Sequence, residues 1–103
     1  MSDHQNSALE ATDFEWDPNK RLKNIEKHDI DFEDVVDLFF EPHLDEALNY
    51  PYESRRKALG PVGGRLVAVI WTWRGTVIRI ISARRARDNE QRAYHALYDR
   101  GDP

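Results

Sequence analysis

Two apolar runs, Leu66 to Trp73 and Val77 to Ser82, are separated by little more than Arg74-Gly75, and this pairing most constrains the fold. Both runs are rich in β-branched and aromatic residues, so the short turn makes them a hairpin of two central strands in an antiparallel sheet. Weaker strands are expected at Glu46–Tyr50 and Arg55–Leu59, with Gly60-Pro61-Val62-Gly63-Gly64 as a turn before the hairpin. Phe14-Glu15-Trp16 alternates apolar and polar residues and reads as one further short strand.

The rest of the pattern is helical. Asp17-Pro18 opens a helix, since the aspartate can cap free amides and proline at the first turn lacks the donor that would go unpaired. That helix is expected to reach His28 with Leu22 and Ile25 inward. Asp31 caps a second, in which Phe32, Val35, Val36, Phe39 and Phe40 fall on one face. It stops near Glu41, because Pro42 disfavours helical geometry just before it. A closing helix spans Arg87 to Tyr98 and is expected to bury Tyr94, Leu97 and Tyr98. The fold class is α+β: an antiparallel sheet with two N-terminal helices and one C-terminal helix, the helices on one sheet face. The 103 residues suit one domain, residues 14–103, behind a polar leader at 1–13.

Charge divides the chain. Fifteen of the 19 acidic residues precede Ser54, whereas every arginine but Arg21 follows it. Arginine outnumbers lysine there by ten to one, a bias toward planar phosphate or carboxylate recognition. The absence of cysteine excludes disulfides, thiolate zinc sites and cysteine nucleophiles, and fits a cytoplasmic location. No apolar stretch is long enough to cross a membrane as a helix. No spacing of histidines and carboxylates suggests a metal, and neither a phosphate-binding Gly-Lys-Ser/Thr loop nor a nucleophile elbow is present, so no cofactor is expected.

The chemistry concentrates in Ile78-Arg79-Ile80-Ile81-Ser82-Ala83-Arg84-Arg85-Ala86-Arg87. Regular alternation puts Ile78, Ile80 and Ser82 on one strand face and Arg79 with Ile81 on the other. Arg79 must pair with a carboxylate or open onto a site, and both readings stand at this point. Arg84, Arg85 and Arg87 gather where strand gives way to helix, a natural anion site. His28, flanked by Lys27 and Asp29, is a second candidate because histidine exchanges protons near neutrality. It can equally be a partner for its helix's C-terminal dipole. Trp71 and Trp73 share a strand face, either packing under a helix or offering a base-stacking platform.

Phe14-Glu15-Trp16-Asp17-Pro18 with Lys20, Asn24, Lys27-His28 and Phe32-Glu33 resembles the opening of the BrnT toxins. Gly64-Arg65-Leu66-Val67, then Ile78 to Ala86, then Glu90 and Tyr94 resemble that family's last strands and helix. The resemblance implies a RelE-like fold and a bacterial type II toxin, a metal-independent endoribonuclease that inhibits translation. It also implies a BrnA-like DNA-binding antitoxin as partner, in a toxin–antitoxin hetero-oligomer. On this basis Arg79 and Arg84 would clamp phosphate, with Lys27 supporting charge. His28 and either Glu90 or Tyr94 would move protons, and Arg65, Arg85 and Arg87 would bind RNA. Two positions depart from the family pattern: Asp29 stands where glycine is usual after the histidine, and Arg87 stands where a threonine caps the last helix, with Asp88 the expected substitute. The rival readings are a non-enzymatic antitoxin-binding and co-repressor module, and a plain RNA-binding domain.

Overall fold

The structure, a computed structural model, describes residues 10–98; most of the expected leader lies outside them. Strand β1 (Asp13–Glu15) leads into α1 (Pro18–His28) and α2 (Phe32–Val35), which tightens into a 3-10 segment, Val36–Phe40. Strands β2 (Leu44–Leu48), β3 (Arg55–Val62), β4 (Arg65–Arg74) and β5 (Val77–Arg85) follow, and α3 (Asp88–Tyr98) closes the chain. The five strands run in the order β1-β5-β4-β3-β2. Only β1 pairs in parallel, on β5. The β4–β5 hairpin is therefore central, as its composition required.

Local chemistry sets the helix ends. The Asp17 side chain accepts the Asn19 amide at 2.8 Å, and Pro18 occupies the first turn. The expected inward residue Leu22 is instead 62% exposed. Asn24 is buried in its place, donating to the Ile30 carbonyl at 2.9 Å and accepting the Ala83 amide at 3.1 Å. The cause is the short β1, which covers β5 only over Val77–Arg79. Farther along, a polar side chain must satisfy the open strand edge. In the second helical segment Phe32, Val35, Leu38 and Phe39 are buried, whereas Phe40 is 61% exposed. The 3-10 segment has three residues per turn, so the apolar stripe drifts and Phe40 leaves it.

Helix α1 ends on Asp29, whose φ of 59° and ψ of 38° are left-handed. A side chain there costs about 1 kcal/mol that glycine avoids. Arg65 holds this turn through the Asp29 backbone carbonyl at 2.7 Å, a bond that does not depend on the aspartate side chain. Asp29→Gly is therefore expected to raise the urea midpoint slightly, by about 0.5 kcal/mol of stability or less after the added flexibility of glycine is subtracted. A fall would show that the Asp29 carboxylate, 3.9 Å from Arg65, matters more than the backbone strain.

The expected turn at Gly60 to Gly64 is shorter. Strand β3 continues through Pro61 and Val62, and only Gly63 and Gly64 turn, both at positive φ. Gly60 lies within the strand because a Cβ there would come 3.1 Å from both His43 and Leu38. The helices do not share one sheet face. The buried cluster of Ile30, Phe32, Val35, Leu38 and Phe39 packs on Val67, Val69, Trp71, Ile78, Ile80 and Ala83. Leu59, Ala68 and Ala86, with Leu44, Leu66 and Tyr94, form a second cluster. Leu59 and Ala68 alternate with Ala58 and Val67, so the inner strands are apolar on both faces and α3 covers the opposite one. Leu97 points outward, 38% exposed.

Trp71 belongs to the first core cluster, which settles its packing role. Its indole nitrogen, His43 Nε2 and Asp45 Oδ1 are buried without a hydrogen-bond partner among the described residues. Burial pushes the Asp45 carboxyl up, against the pull of the Arg56 guanidinium 2.9 Å away.

Candidate active site

A single irregularity in β5 organises the arginines. Ile70 lies opposite Ser82 but Trp71 lies opposite Ile80, so Ile81 is an extra residue, a β-bulge. Past the bulge the alternation is reversed, and Ala83 rather than Ser82 joins Ile78 and Ile80 in the core. The consequence is decisive for the basic residues. Arg79 pairs across to Thr72 and Arg84 to Ala68, and those two β4 positions point to the same face. In a regular strand, Arg79 and Arg84 would point to opposite faces.

That face is the one α3 partly covers. It carries two cross-strand rows. Arg79 lies between Glu15 on β1 and Thr72 on β4. On β3 the register that pairs Arg56 with Trp71 puts Arg55 beside Thr72, whose hydroxyl donates to the Ser54 carbonyl. The second row is Leu59, Ala68 and Arg84. Four residues of β4 separate the rows, about 14 Å along the strand. Lys57, opposite Ile70, stands between them.

Glu90 ties this arrangement together. Its Oε1 accepts Arg84 Nη1 at 2.8 Å and the Arg87 amide at 2.8 Å. Its Oε2 accepts Arg84 Nη2 at 2.9 Å and Lys57 Nζ at 2.7 Å. The carboxylate is 5% exposed, and Arg84 foremost, then the Arg87 amide and Lys57, hold it well below the usual carboxylate range against desolvation. Arg87 also takes the cap position of α3, because its carbonyl accepts the Gln91 amide at 2.8 Å. Glu90 reaching back to the Arg87 amide is half of a capping box. Asp88 is thus the first residue of the helix, not its cap.

Arg79 does have a carboxylate partner: its Nη1 lies 2.8 Å from Glu15 Oε2, with the two side chains 29% and 41% exposed. The pair is open to solvent, so pairing and ligand contact are compatible. At the far end of the same row, Arg55 binds Glu53 at 2.6 Å. Arg55 first, then Arg74 and Lys20, hold the Glu53 carboxyl below its ordinary value.

The remaining sequence candidates lie elsewhere. Lys27 and His28 end α1, which runs along the open edge of β5, with Asn24 anchored on Ala83 and Asp29 on Arg65. Neither residue hydrogen-bonds or ion-pairs with Arg79, Arg84 or Glu90, so the structure does not join them to that cluster through direct contacts. By register Arg65 and Arg85 belong to the α1 side of the sheet. With Gln91 and His95 they line a cleft of about 310 Å³ at its end. Arg87 is exposed and enters the cluster only through its backbone. Tyr94 follows Glu90 by one turn and packs against Tyr98, ring centroids 4.7 Å apart. Lys57 was missed from sequence. Its alternation with Arg55 and Leu59 marked its face, but nothing marked a partner 33 residues later. Among the described residues no group of histidines and carboxylates could hold a metal ion, and no helix is long and apolar enough to cross a membrane.

Comparison with known proteins identifies the family and the fold. The family described as the ribonuclease toxin BrnT of type II toxin–antitoxin systems matches residues 16–90. The crystal structure of the Brucella abortus ribonuclease toxin BrnT is similar, with 30% identity and a TM-score of 0.59, covering 74% of this chain and 97% of that one. No curated protein matches the chain. Because the family match takes in both the opening helix and the strand carrying Arg79 and Arg84, this chain belongs to the BrnT family of ribonuclease toxins of type II toxin–antitoxin systems.

Proposed function

We propose that this protein is an active toxin: a metal-independent endoribonuclease that inhibits translation in the cytoplasm and is restrained by a BrnA-like DNA-binding antitoxin. The observation that carries the proposal is the bulge at Ile81, which turns Arg79 and Arg84 onto one sheet face around Lys57.

Cutting RNA without a metal needs a base for the 2′-hydroxyl proton, cations for the phosphorane charge and an acid for the leaving oxygen. Arg84 and Lys57 supply the cations. Each retains N–H donors beyond those given to Glu90, because guanidinium has five and ammonium three. Both Glu90 oxygens already accept two donors, and the group stays ionised, so it is a positioning residue rather than a proton donor. Proton transfer then falls to Tyr94, one turn after Glu90 on α3, and to His28, which the RNA meets only where it passes around the open edge of β5 beside the anchored Asn24. Arg79, about 14 Å from the Arg84 row, grips a neighbouring phosphate of the same strand. Arg65, Arg85 and Arg87 steer the RNA electrostatically.

The test is cleavage of single-stranded RNA by the purified protein in excess chelator, beside Arg84→Ala and His28→Ala variants checked for folding. Cutting by the wild type, slowed about 100-fold in each variant, is expected. Unchanged rates in both variants would remove this site, and loss of cutting on chelation would remove metal independence. A protein that binds its antitoxin yet cuts no RNA would instead be a co-repressor module.

A further inference from the structure

We infer that the connection between β2 and β3 is a base-stacking subsite, in which Tyr52 receives a nucleobase of the RNA strand gripped at Arg79. The inference rests on the RNA-cutting reading and adds to it a binding site outside the catalytic cluster.

Tyr52 is 96% exposed and Tyr50 46% exposed. An aromatic ring left in water forgoes the burial that normally holds it, and here two stand in one short connection. Tyr50 is not loose, because the Arg55 guanidinium lies 4.8 Å from its ring centroid and is itself fixed by Glu53. Pro51 between the tyrosines has a fixed φ and restricts the backbone of Tyr50 before it, so this short connection has less backbone freedom to lose on binding. Tyr50, Pro51, Tyr52, Glu53 and Arg55 line an open cleft of about 300 Å³, large enough for one base.

The position of the cleft identifies its occupant. Arg55 begins the row that continues through Thr72 to Arg79, two strands away or about 10 Å. A single strand whose phosphate rests on Arg79 and whose backbone crosses this row delivers its next base to the tyrosines. Only an unpaired base can open its face in this way, so the subsite selects single-stranded RNA.

The experiment measures binding of a short fluorescent 2′-O-methyl RNA, which cannot be cut by 2′-hydroxyl attack, to the wild type, Tyr52→Ala and Tyr52→Phe at several salt concentrations. Tyr52→Ala is expected to weaken binding about tenfold with the salt dependence unchanged, because stacking involves no phosphate. Tyr52→Phe, which keeps the ring, is expected to bind like the wild type. Equal binding by Tyr52→Ala overturns the subsite while leaving the nuclease reading intact. A wild type that binds no RNA overturns both. Loss of antitoxin binding in Tyr52→Ala with RNA binding retained assigns the tyrosines to the protein partner and also overturns the inference.

Discussion

Glu90→Gln is expected to destabilise the protein by about 3 kcal/mol at neutral pH, because it leaves two confined cations without their anion. The amide would also turn an NH2 group toward Arg84 or Lys57, setting donor against donor. For a domain of this size the melting temperature is expected to fall by more than about 10 °C. Cleavage is expected to fall with it, measured below the variant's own melting transition, since Arg84 and Lys57 are held in place by that carboxylate. Wild-type melting together with wild-type cleavage would show that Glu90 neither supports the fold nor positions the cations.

The same residue predicts a pH dependence with a definite sign. The folded state holds the Glu90 carboxyl well below its ordinary value, so its stabilisation is fully present above the unfolded pKa, about 4.3. As pH falls from about 5 toward 2, the unfolded chain takes up a proton that the folded protein refuses, and wild-type stability drops. Glu90→Gln has no such group. The stability gap between wild type and variant, read from urea midpoints, should therefore narrow as the solution is acidified. A gap constant from pH 7 to pH 3 would contradict the coupling of Glu90 to Arg84 and Lys57.

Where signals were local, the sequence was readable. Asp17 and Pro18 announced the start of α1, and the hairpin at Arg74-Gly75 announced the central strands. Phe40 misled because α and 3-10 periods differ by little over one turn, and tertiary packing rather than sequence chose between them. Leu22 misled because the open edge of β5 needed a polar partner, and that need arises only once β1 is known to be short. For the candidate site the important case is Ile81. Strict alternation separates Arg79 from Arg84, and no residue in Ile78 to Ser82 is a glycine that would advertise a bulge. The juxtaposition depends on pairing with β4, a long-range property. Lys57 was hidden for the same reason, since its meaning comes from Glu90 on a helix packed across the sheet.

Arg79→Ala separates the two meanings that this arginine had from the start. Its pair with Glu15 is solvent-accessible, so its loss is expected to cost under about 1 kcal/mol and to leave melting nearly unchanged. If Arg79 grips the neighbouring phosphate and so orients the strand for attack beside Arg84, the single-turnover cleavage rate is expected to fall about 100-fold in the same folded protein. Arg79→Lys is expected to recover part of that rate, because it restores the charge but not the two-pronged geometry. Glu15→Gln supplies the converse. It releases Arg79 from its partner without removing the cation, so cleavage is expected to persist. A structural ion pair would give the opposite pattern, with Arg79→Ala and Glu15→Gln equally destabilising and cleavage changing only as folding does. The opposed responses of Glu15→Gln and Arg79→Ala distinguish a residue that meets RNA from one that merely ties β1 to β5.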